Sequence, residues 1–532
     1  MPSRWPSTVE FQEVVVHVDE TICASCGGPL RFRKIRHHCF YTLQGPVDLV
    51  CHQKCCADTQ CPAQNVLVSP GEERRLTMPR WCMGWDLSLW LGFRRYKRHW
   101  DIPQLHAELA DSYDIHLCTE TLREYLQKYQ LMVAARHQDL TLLREVYQAC
   151  DDVILSIDGI QPEKGHEVVY VVRELRRQRV WFAESLLSSA LPEIVTLIRR
   201  AKQIAAALAL PVRGWITDKQ DAFVTAIAAE CPQAFHRYCA NHFLRDVAQP
   251  MLERDSQAKV QMRKRVRGLR GVEKTILAVV DSPLSAPGPL TPEQSRYAAQ
   301  IVLNYCAAVR GILNDNHGGP LRPPGWRMAD ALEALCVSLE RTRNHPETPI
   351  SAVLERLLGY IRQGLAVYAP EKPTIAAYVA DMTRIWDLLA PKTGAETKRL
   401  AEFQQLRATF AETDDPITQH MGRVMQSFEK GLFVGSDVVG LPSDNLALER
   451  WITYPKGHER RIHGRQHVGL RMIIQGPTLL PTVDAHLGRT TPFTVQELTP
   501  YADASPPASQ RQAVARHRVM TNARSKKNDR SY

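Results

Sequence analysis

The sequence predicts a multidomain α/β protein: a mixed-sheet domain interrupted by an all-α insertion, preceded by a cysteine-rich module and a helical hairpin. Three observations carry this. Between 151 and 250, short apolar runs alternate with amphipathic stretches, and two of the runs end in an aspartate. Between 251 and 431, apolar positions recur at threes and fours, as at Leu354, Leu357, Leu358 and Ile361, the stripe of a helix. Seven of the 14 cysteines fall between Cys23 and Cys61. Such crowding favours metal over disulfides in a reducing compartment.

The bulk numbers bound the rest. At 532 residues, about three or four domains are expected. Hydrophobic content of 44% and charged content of 23% are ordinary for a globular protein with sizeable cores. Lys+Arg 67 against Asp+Glu 57 gives +10, which permits an anionic partner without demanding one. The basic residues cluster at Arg94–His99, Arg263–Arg270, Arg460–Arg465 and in the tail. The N-terminus lacks the apolar core of a signal peptide, and no run approaches the roughly 20 apolar residues that span a bilayer. The expectation is a cytoplasmic, nucleoid-associated protein with no membrane contact.

Residues 1–66 read as a zinc-ribbon module. Cys23-x2-Cys26 precedes Gly27-Gly28, and Cys56-x4-Cys61 follows a hairpin with Gly45-Pro46 as its turn. Two cysteine pairs across a short β unit supply the four soft ligands of a closed, structural Zn2+ site. Cys23, Cys26, Cys56 and Cys61 are the expected ligands, with Cys39, Cys51 and Cys55 as competitors. Residues 67–135 read as a helix-turn-helix. One helix opens at Ile102-Pro103, and a second, capped by Thr119, runs from about Thr121 to Tyr129. Leu105, Leu109, Ile115, Leu122 and Leu126 have the spacing of its core. The second helix of that motif enters the major groove, which would turn Glu120, Arg123 and Lys128 toward double-stranded DNA.

Residues 136–250 read as three strands, a helix, a strand, a helix and a strand, the order of a ribonuclease-H-like domain. Asp158 would end the first strand and Asp218 the fourth, which are neighbours in such a sheet. The 251–431 block would be an insertion, and 432–480 would return to the α/β domain. There Ser443 or Asp444 can cap a helix, with Glu449 about one turn in and Asn445 at i,i+4 from it. Arg450, Lys456, Arg460 and Arg461 suit phosphate contacts. Residues 481–532 read as a basic, disordered tail. Asp158, Asp218 and Glu449 together could hold two Mg2+ ions, which take hard oxygen ligands and serve phosphodiester chemistry. Singly, each acid reads as a turn or surface residue; the joint pattern gives them weight.

These residues reach a known family. Ser-Ile-Asp158-Gly, Ile-Thr-Asp218 and His-Arg-Tyr-Cys239-x2-His242 resemble the Mutator-like branch of the DDE transposases. Ser-Asp-Asn445-x3-Glu449-Arg450, followed by Arg461-x2-Gly464, looks like the closing Glu motif of bacterial insertion-sequence transposases. The resemblance covers about 158–250 and 440–475. It implies a ribonuclease-H-like fold with a helical insertion before the Glu. It also implies Mg2+-dependent 3′-end cleavage and strand transfer on terminal inverted repeats and target DNA. A homo-oligomer is expected, because two element ends must meet. Cys239 and His242 are read as packing and hydrogen-bonding beneath the active site, not as catalytic groups.

Overall fold

The computed structural model describes residues 10–160, 167–281, 292–345, 351–389, 396–435, 438, 441–442, 444–464 and 468–528. The chain divides into two compact units, Met1–His236 with Leu446–Tyr532, and Arg237–Asn445.

The first unit opens with β1 (Gln12–His17), β2 (Leu30–Thr42) and β3 (Gly45–Cys56), in the order β1-β3-β2. β3 runs parallel to β1 and antiparallel to β2. Val16, Phe40, Val47, Leu49 and Cys51 fill its small core. Thr42 and Gly45 are already paired, so the hairpin turn falls on Leu43-Gln44 and not on Gly45-Pro46.

α1 (Glu73–Leu76), α2 (Trp85–Tyr96), α3 (Ile102–Tyr113) and α4 (Thr119–His137) follow. Asp101 starts α3 with a capping box: its carboxylate accepts the Gln104 amide at 2.8 Å, and Gln104 Oε1 accepts the Asp101 amide at 2.9 Å. Two orphan helix donors are thereby satisfied. Leu105, Leu109, Ile115, Leu122 and Leu126 are all buried, as their spacing predicts. Two details differ. The residue preceding α4 is Cys118, not a Thr119 cap, and α4 runs eight residues past Tyr129. Its second half buries Met132, Val133 and Ala134. The helical pair therefore shares one core with the sheet and the C-terminal helices instead of forming its own domain.

α5 (Leu140–Tyr147) leads into β4 (Val153–Ile160), β5 (Val168–Glu174), β6 (Arg179–Leu186), α6 (Leu191–Ala207), β7 (Val212–Thr217), α7 (Asp221–Glu230) and β8 (Phe235–Tyr238). The sheet order is β6-β5-β4-β7-β8. β4, β5 and β6 form an antiparallel meander, and β7 is parallel to β4. Period-2 alternation sorts the side chains onto two faces. Leu155, Ile157, Val172 and Trp215 pack with α6 and α7. Ile160, Val169 and Val171 belong to the other core, which the C-terminal helices cover.

The second unit is helical, as its periodicity predicts. α8 (Ala240–Arg265) passes through a 3₁₀ turn (Val266–Gly268) into α9 (Leu269–Asp281). α10 (Pro292–Asn314), α11 (Pro324–Arg343), α12 (Ser351–Tyr368), α13 (Lys372–Leu389), α14 (Glu396–Ala411) and α15 (Pro416–Leu432) complete it. Its bounds exceed the expected 251–431 because α8 runs unbroken through 250. The Phe243 ring packs on Phe403 and Phe428 at 6.0 and 5.4 Å. Asp255, fully buried, accepts the Gly325 and Trp326 amides and the Tyr368 hydroxyl, a carboxylate on the positive end of α11. The proline-rich stretch 283–291 lies outside the described residues, and Pro292 opens α10.

The chain then returns to the first unit with α16 (Leu446–His463), α17 (Val468–Leu487), α18 (Val495–Leu498) and α19 (Ala508–Asn528). The disordered tail expected over 481–532 is corrected here. α17 continues to 487 and buries Leu480 and Val483. Phe493, Leu498 and Ala513 are buried beyond it. Polar composition misled because the polar groups are paired internally. Thr478 Oγ1 bonds Gln510 and Gln130, Arg489 stacks on Phe493 at 3.8 Å, and Arg516 pairs with Glu167.

Candidate active site and metal centre

The four expected zinc ligands come together. The sulfurs of Cys23, Cys26, Cys56 and Cys61 all lie within 4.8 Å of one another. Cys23 and Cys61 are 3.8 Å apart, and Cys26 and Cys56 are 3.5 Å apart. A zinc–sulfur bond of about 2.3 Å places the corners of a tetrahedron about 3.8 Å apart, so the donor set fits Zn2+ in type, number and spacing. The loop geometry supports it. Gly27 takes φ +72, and a Cβ on Gly28 would meet Cys26 Sγ at 3.3 Å. The Gly28 and Ala63 amides point at Cys26 Sγ and Cys61 Sγ. Amides of Ser25 and Cys26 draw the Cys23 thiol down to about 7, while burial pushes Cys56 up to about 12. The competitors are otherwise engaged. Cys51 Sγ accepts from Arg36, Cys39 donates to Asp48, and strand alternation turns Cys55 away from Cys56.

Asp158 lies on β4, and Asp218 directly follows the last residue of the neighbouring strand β7. β4 and β7 run parallel, and the last pair in their register is Ser156 opposite Ile216, so each aspartate comes two residues beyond that pair at the same end of the two strands. Both carboxylates are half-buried. After burial, the largest influence raising the Tyr170 phenol, their two charges add to the rise. β4 does not end at Asp158, as the sequence suggested: it extends to Ile160 through pairing of Asp158 with Val171. Parallel pairing with β7 stops at Ser156, which leaves the Asp158 side of the strand open there.

Glu449 lies in the first turn of α16 and is half-buried. Arg173 on β5 fixes that turn. It pairs opposite Ser156, hence on the Asp158 face. Its Nη1 donates to Ala447 O at 3.1 Å, its Nη2 and Nε donate to Gln178 O, and its guanidinium lies 5.8 Å from the Trp451 ring. The α16 turn that carries Glu449 is thus anchored on the face that carries Asp158. Among the described residues, Asp158, Asp218 and Glu449 are not one of the groups whose ligand atoms lie within 4.8 Å of one another. Ser443 lies outside the described residues. α16 begins at Leu446, so Asn445 precedes the helix instead of lying on it.

The expected DNA contacts divide. Arg450, Arg460 and Arg461 are exposed on α16, and Lys456 is half-buried. On α4, Arg123 is exposed and pairs with Glu120 at 3.0 Å, while Lys128 pairs with Glu124 and lies over the Trp81 and Tyr125 rings. Asn445 is corrected: it is 1% exposed, and its backbone N–H donates to Cys239 Sγ at 3.2 Å. A phosphate contact does not fit so buried a side chain. Cys239, itself buried, precedes α8 and His242 lies in its first turn. The Arg94–His99 cluster is largely internal. Arg95 is buried and donates to Trp100 O and His463, and Arg94 stacks on Trp90 and Trp100. Lys97 donates to the last carbonyls of α17, His486 and Leu487, a cation at a helix C-terminus.

Two features escaped the sequence reading. Arg173 gave no local signal, because its role depends on a helix some 270 residues later. Arg31, Arg33 and Lys34 are exposed with Phe32 along the edge strand β2; that dense basic run around an aromatic was the available clue. Comparison of the chain with protein-family models found no match, and neither did comparison with curated proteins.

Proposed function

We propose that the protein is a DNA transposase of DDE type, with a ribonuclease-H-like catalytic domain, an N-terminal zinc ribbon and a helix-turn-helix. The observation that carries the reading is that Asp158 and Asp218 each come two residues beyond the last pair of adjacent parallel strands, with the Glu449 turn anchored on the Asp158 face. The strand order β6-β5-β4-β7-β8, an antiparallel meander followed by a parallel crossover, supports it as the arrangement expected of that domain. Asp158, Asp218 and Glu449 would hold Mg2+, which supplies charge neutralisation and an activated hydroxyl for phosphodiester cleavage. Asp158 on β4 and Asp218 just beyond the end of β7 provide hard oxygen donors, and Arg173 positions the turn that brings the third. Arg123, Lys128 and the α16 basic residues hold DNA by its phosphates. Joining two element ends requires a homo-oligomer.

The test is strand cleavage and joining by the full chain on labelled duplexes taken from the DNA flanking its own coding sequence, with Mg2+. The donor 3′ end should become linked to target DNA, and Asp158→Asn should lower the rate at least about 100-fold, the loss of about 3 kcal/mol of transition-state stabilisation. Cleavage without joining would make the protein a nuclease of the same fold. Equal activity in Asp158→Asn would remove the site.

A further inference from the structure

The basic run Arg263–Arg270 has no part in the site above. It lines one wall of a cleft of about 650 Å³ in the second unit, where the α8–α9 junction faces α10. Arg263, Lys264, Arg267 and Arg270 come from the junction and Arg310 from α10, against one acid, Glu273. Glu273 is already paired with Arg310. Among the described residues, no carboxylate pairs with the other four cations.

The usual structural reason for basic residues at a helix end fails here. They would complement the negative end of the helix dipole, but α8 has no free end. Arg265, Val266 and Leu269 keep right-handed helical dihedrals, and the chain runs on through the 3₁₀ turn into α9. Among the described residues Glu273 is the one acid lining the cleft, so the mutual repulsion of the cations is offset little there, which is the signature of a surface awaiting an anionic partner.

The lining also says which anion. Arg263, Arg267 and Arg270 follow i, i+4, i+7 spacing, a row of about 11 Å at 1.5 Å per residue. That is about three base steps of duplex at 3.4 Å each. Val260, Val266, Leu269 and Leu313 supply the apolar part of the wall, and among the described residues no aromatic ring on which a base could stack lines the cleft. The cations are largely exposed, unlike the buried, hydrogen-bonded pocket that holds a small ion.

We infer that this cleft is a docking surface for the phosphate backbone of double-stranded DNA, independent of base sequence. The inference rests on the DNA-processing reading above and adds a second contact on the helical unit. Three phosphates neutralised by the arginine row set the size of the effect.

The experiment measures binding of the full chain to a labelled random-sequence duplex by fluorescence anisotropy, between about 50 and 200 mM salt. Arg263→Gln/Arg267→Gln/Arg270→Gln should flatten the slope of log K against log salt by about 2–3, at about 0.9 per contact. Affinity at about 150 mM salt should fall about 100-fold. Arg267→Gln/Arg270→Gln, both fully surface positions, should give about two-thirds of the slope change, and circular dichroism confirms that each variant is folded. An unchanged slope in both arginine variants overturns the inference, whether or not the protein cuts DNA. Tripolyphosphate binding that the variants lose while their DNA slope stays wild-type also overturns it, in favour of a small-anion site. A flattened slope in a chain that never cuts DNA leaves the cleft standing and removes the transposase reading instead.

Discussion

His486 should make the first unit acid-sensitive, by an amount its surroundings set. It is fully buried on α17. Its Nδ1–H donates to Thr482 O at 2.8 Å, and its Nε2 accepts the Tyr129 hydroxyl at 3.0 Å, so both nitrogens are committed to the neutral ring. Burial drives its pKa down to about 4, the Thr482 carbonyl pulls the other way, and the Arg489 and Lys97 cations add to the fall. The unfolded chain titrates near 6.5. Between these values the unfolded state binds more protons, so stability is full above about 6.5 and is lost as pH falls toward 4. At about pH 5 the loss spans 1.5 pH units at about 1.4 kcal/mol each, or about 2 kcal/mol. His99, also lowered to about 4 by burial, has the same sign, whereas Glu459, raised by burial, has the opposite one. The difference between wild type and His486→Gln cancels both. Gln can keep a donor to Thr482 and an acceptor for Tyr129, so the variant should cost about 1–3 kcal/mol near pH 7.5. That cost should shrink by about 2 kcal/mol near pH 5, read from urea unfolding followed by tryptophan fluorescence. The same cost at both pH values would refute the argument.

Two further outcomes follow from the geometry. Purified chain should carry about one zinc; Cys56→Ser or Cys61→Ser should lose it and lower Tm, while Cys55→Ser should retain it, measured by metal analysis and thermal melting. Arg173→Ala removes three hydrogen bonds and a cation–ring contact from a buried position, and should cost about 3–5 kcal/mol in denaturant unfolding. In the same variant strand cleavage should fall with DNA affinity unchanged, and Arg173→Lys, which reaches Ala447 O but lacks the fork, should restore only part of it.

What was legible in the sequence was what short-range pattern encodes. Val153–Ile157 is apolar but for Ser156, and Val212–Ile216 is broken only by Arg213-Gly214, so their strands and the aspartates beyond them could be read directly. The helices of the second unit announced themselves by threes and fours, and their observed ends differ from the periodicity by a few residues. The four cysteines declared themselves by spacing, because a metal site imposes rigid local geometry. Illegible were the elements whose stability comes from distant partners. α17 contains Pro477 and Pro481, which argue against a helix interior. It persists because Thr478, Thr482 and His486 find partners on α4: Gln130 gives its amide to Thr478 and its backbone carbonyl to Thr482, and Tyr129 meets His486. Buried polar groups must be satisfied, and no window of local sequence shows that they are.

The same distinction applies to Glu449. Its motif is local, and the sequence could propose it as an acid on a capped helix. Its standing in space depends on Arg173, which reaches from β5 to the Ala447 carbonyl and the Trp451 ring. Arg173 itself is buried, and burial lowers its pKa, so a cation is being held in an unfavourable place. Such a charge is destabilising unless its hydrogen bonds recover the cost, and an apolar residue would pack β5 against α16 without that cost. What the arginine adds is direction. Three donors with fixed angles tie one turn of α16 to one register of the sheet, where apolar contacts alone would let the helix slide. On the proposed transposase reading, that is the property wanted for Glu449 to join Asp158 and Asp218. It is why loss of Arg173 should be felt first in the chemistry.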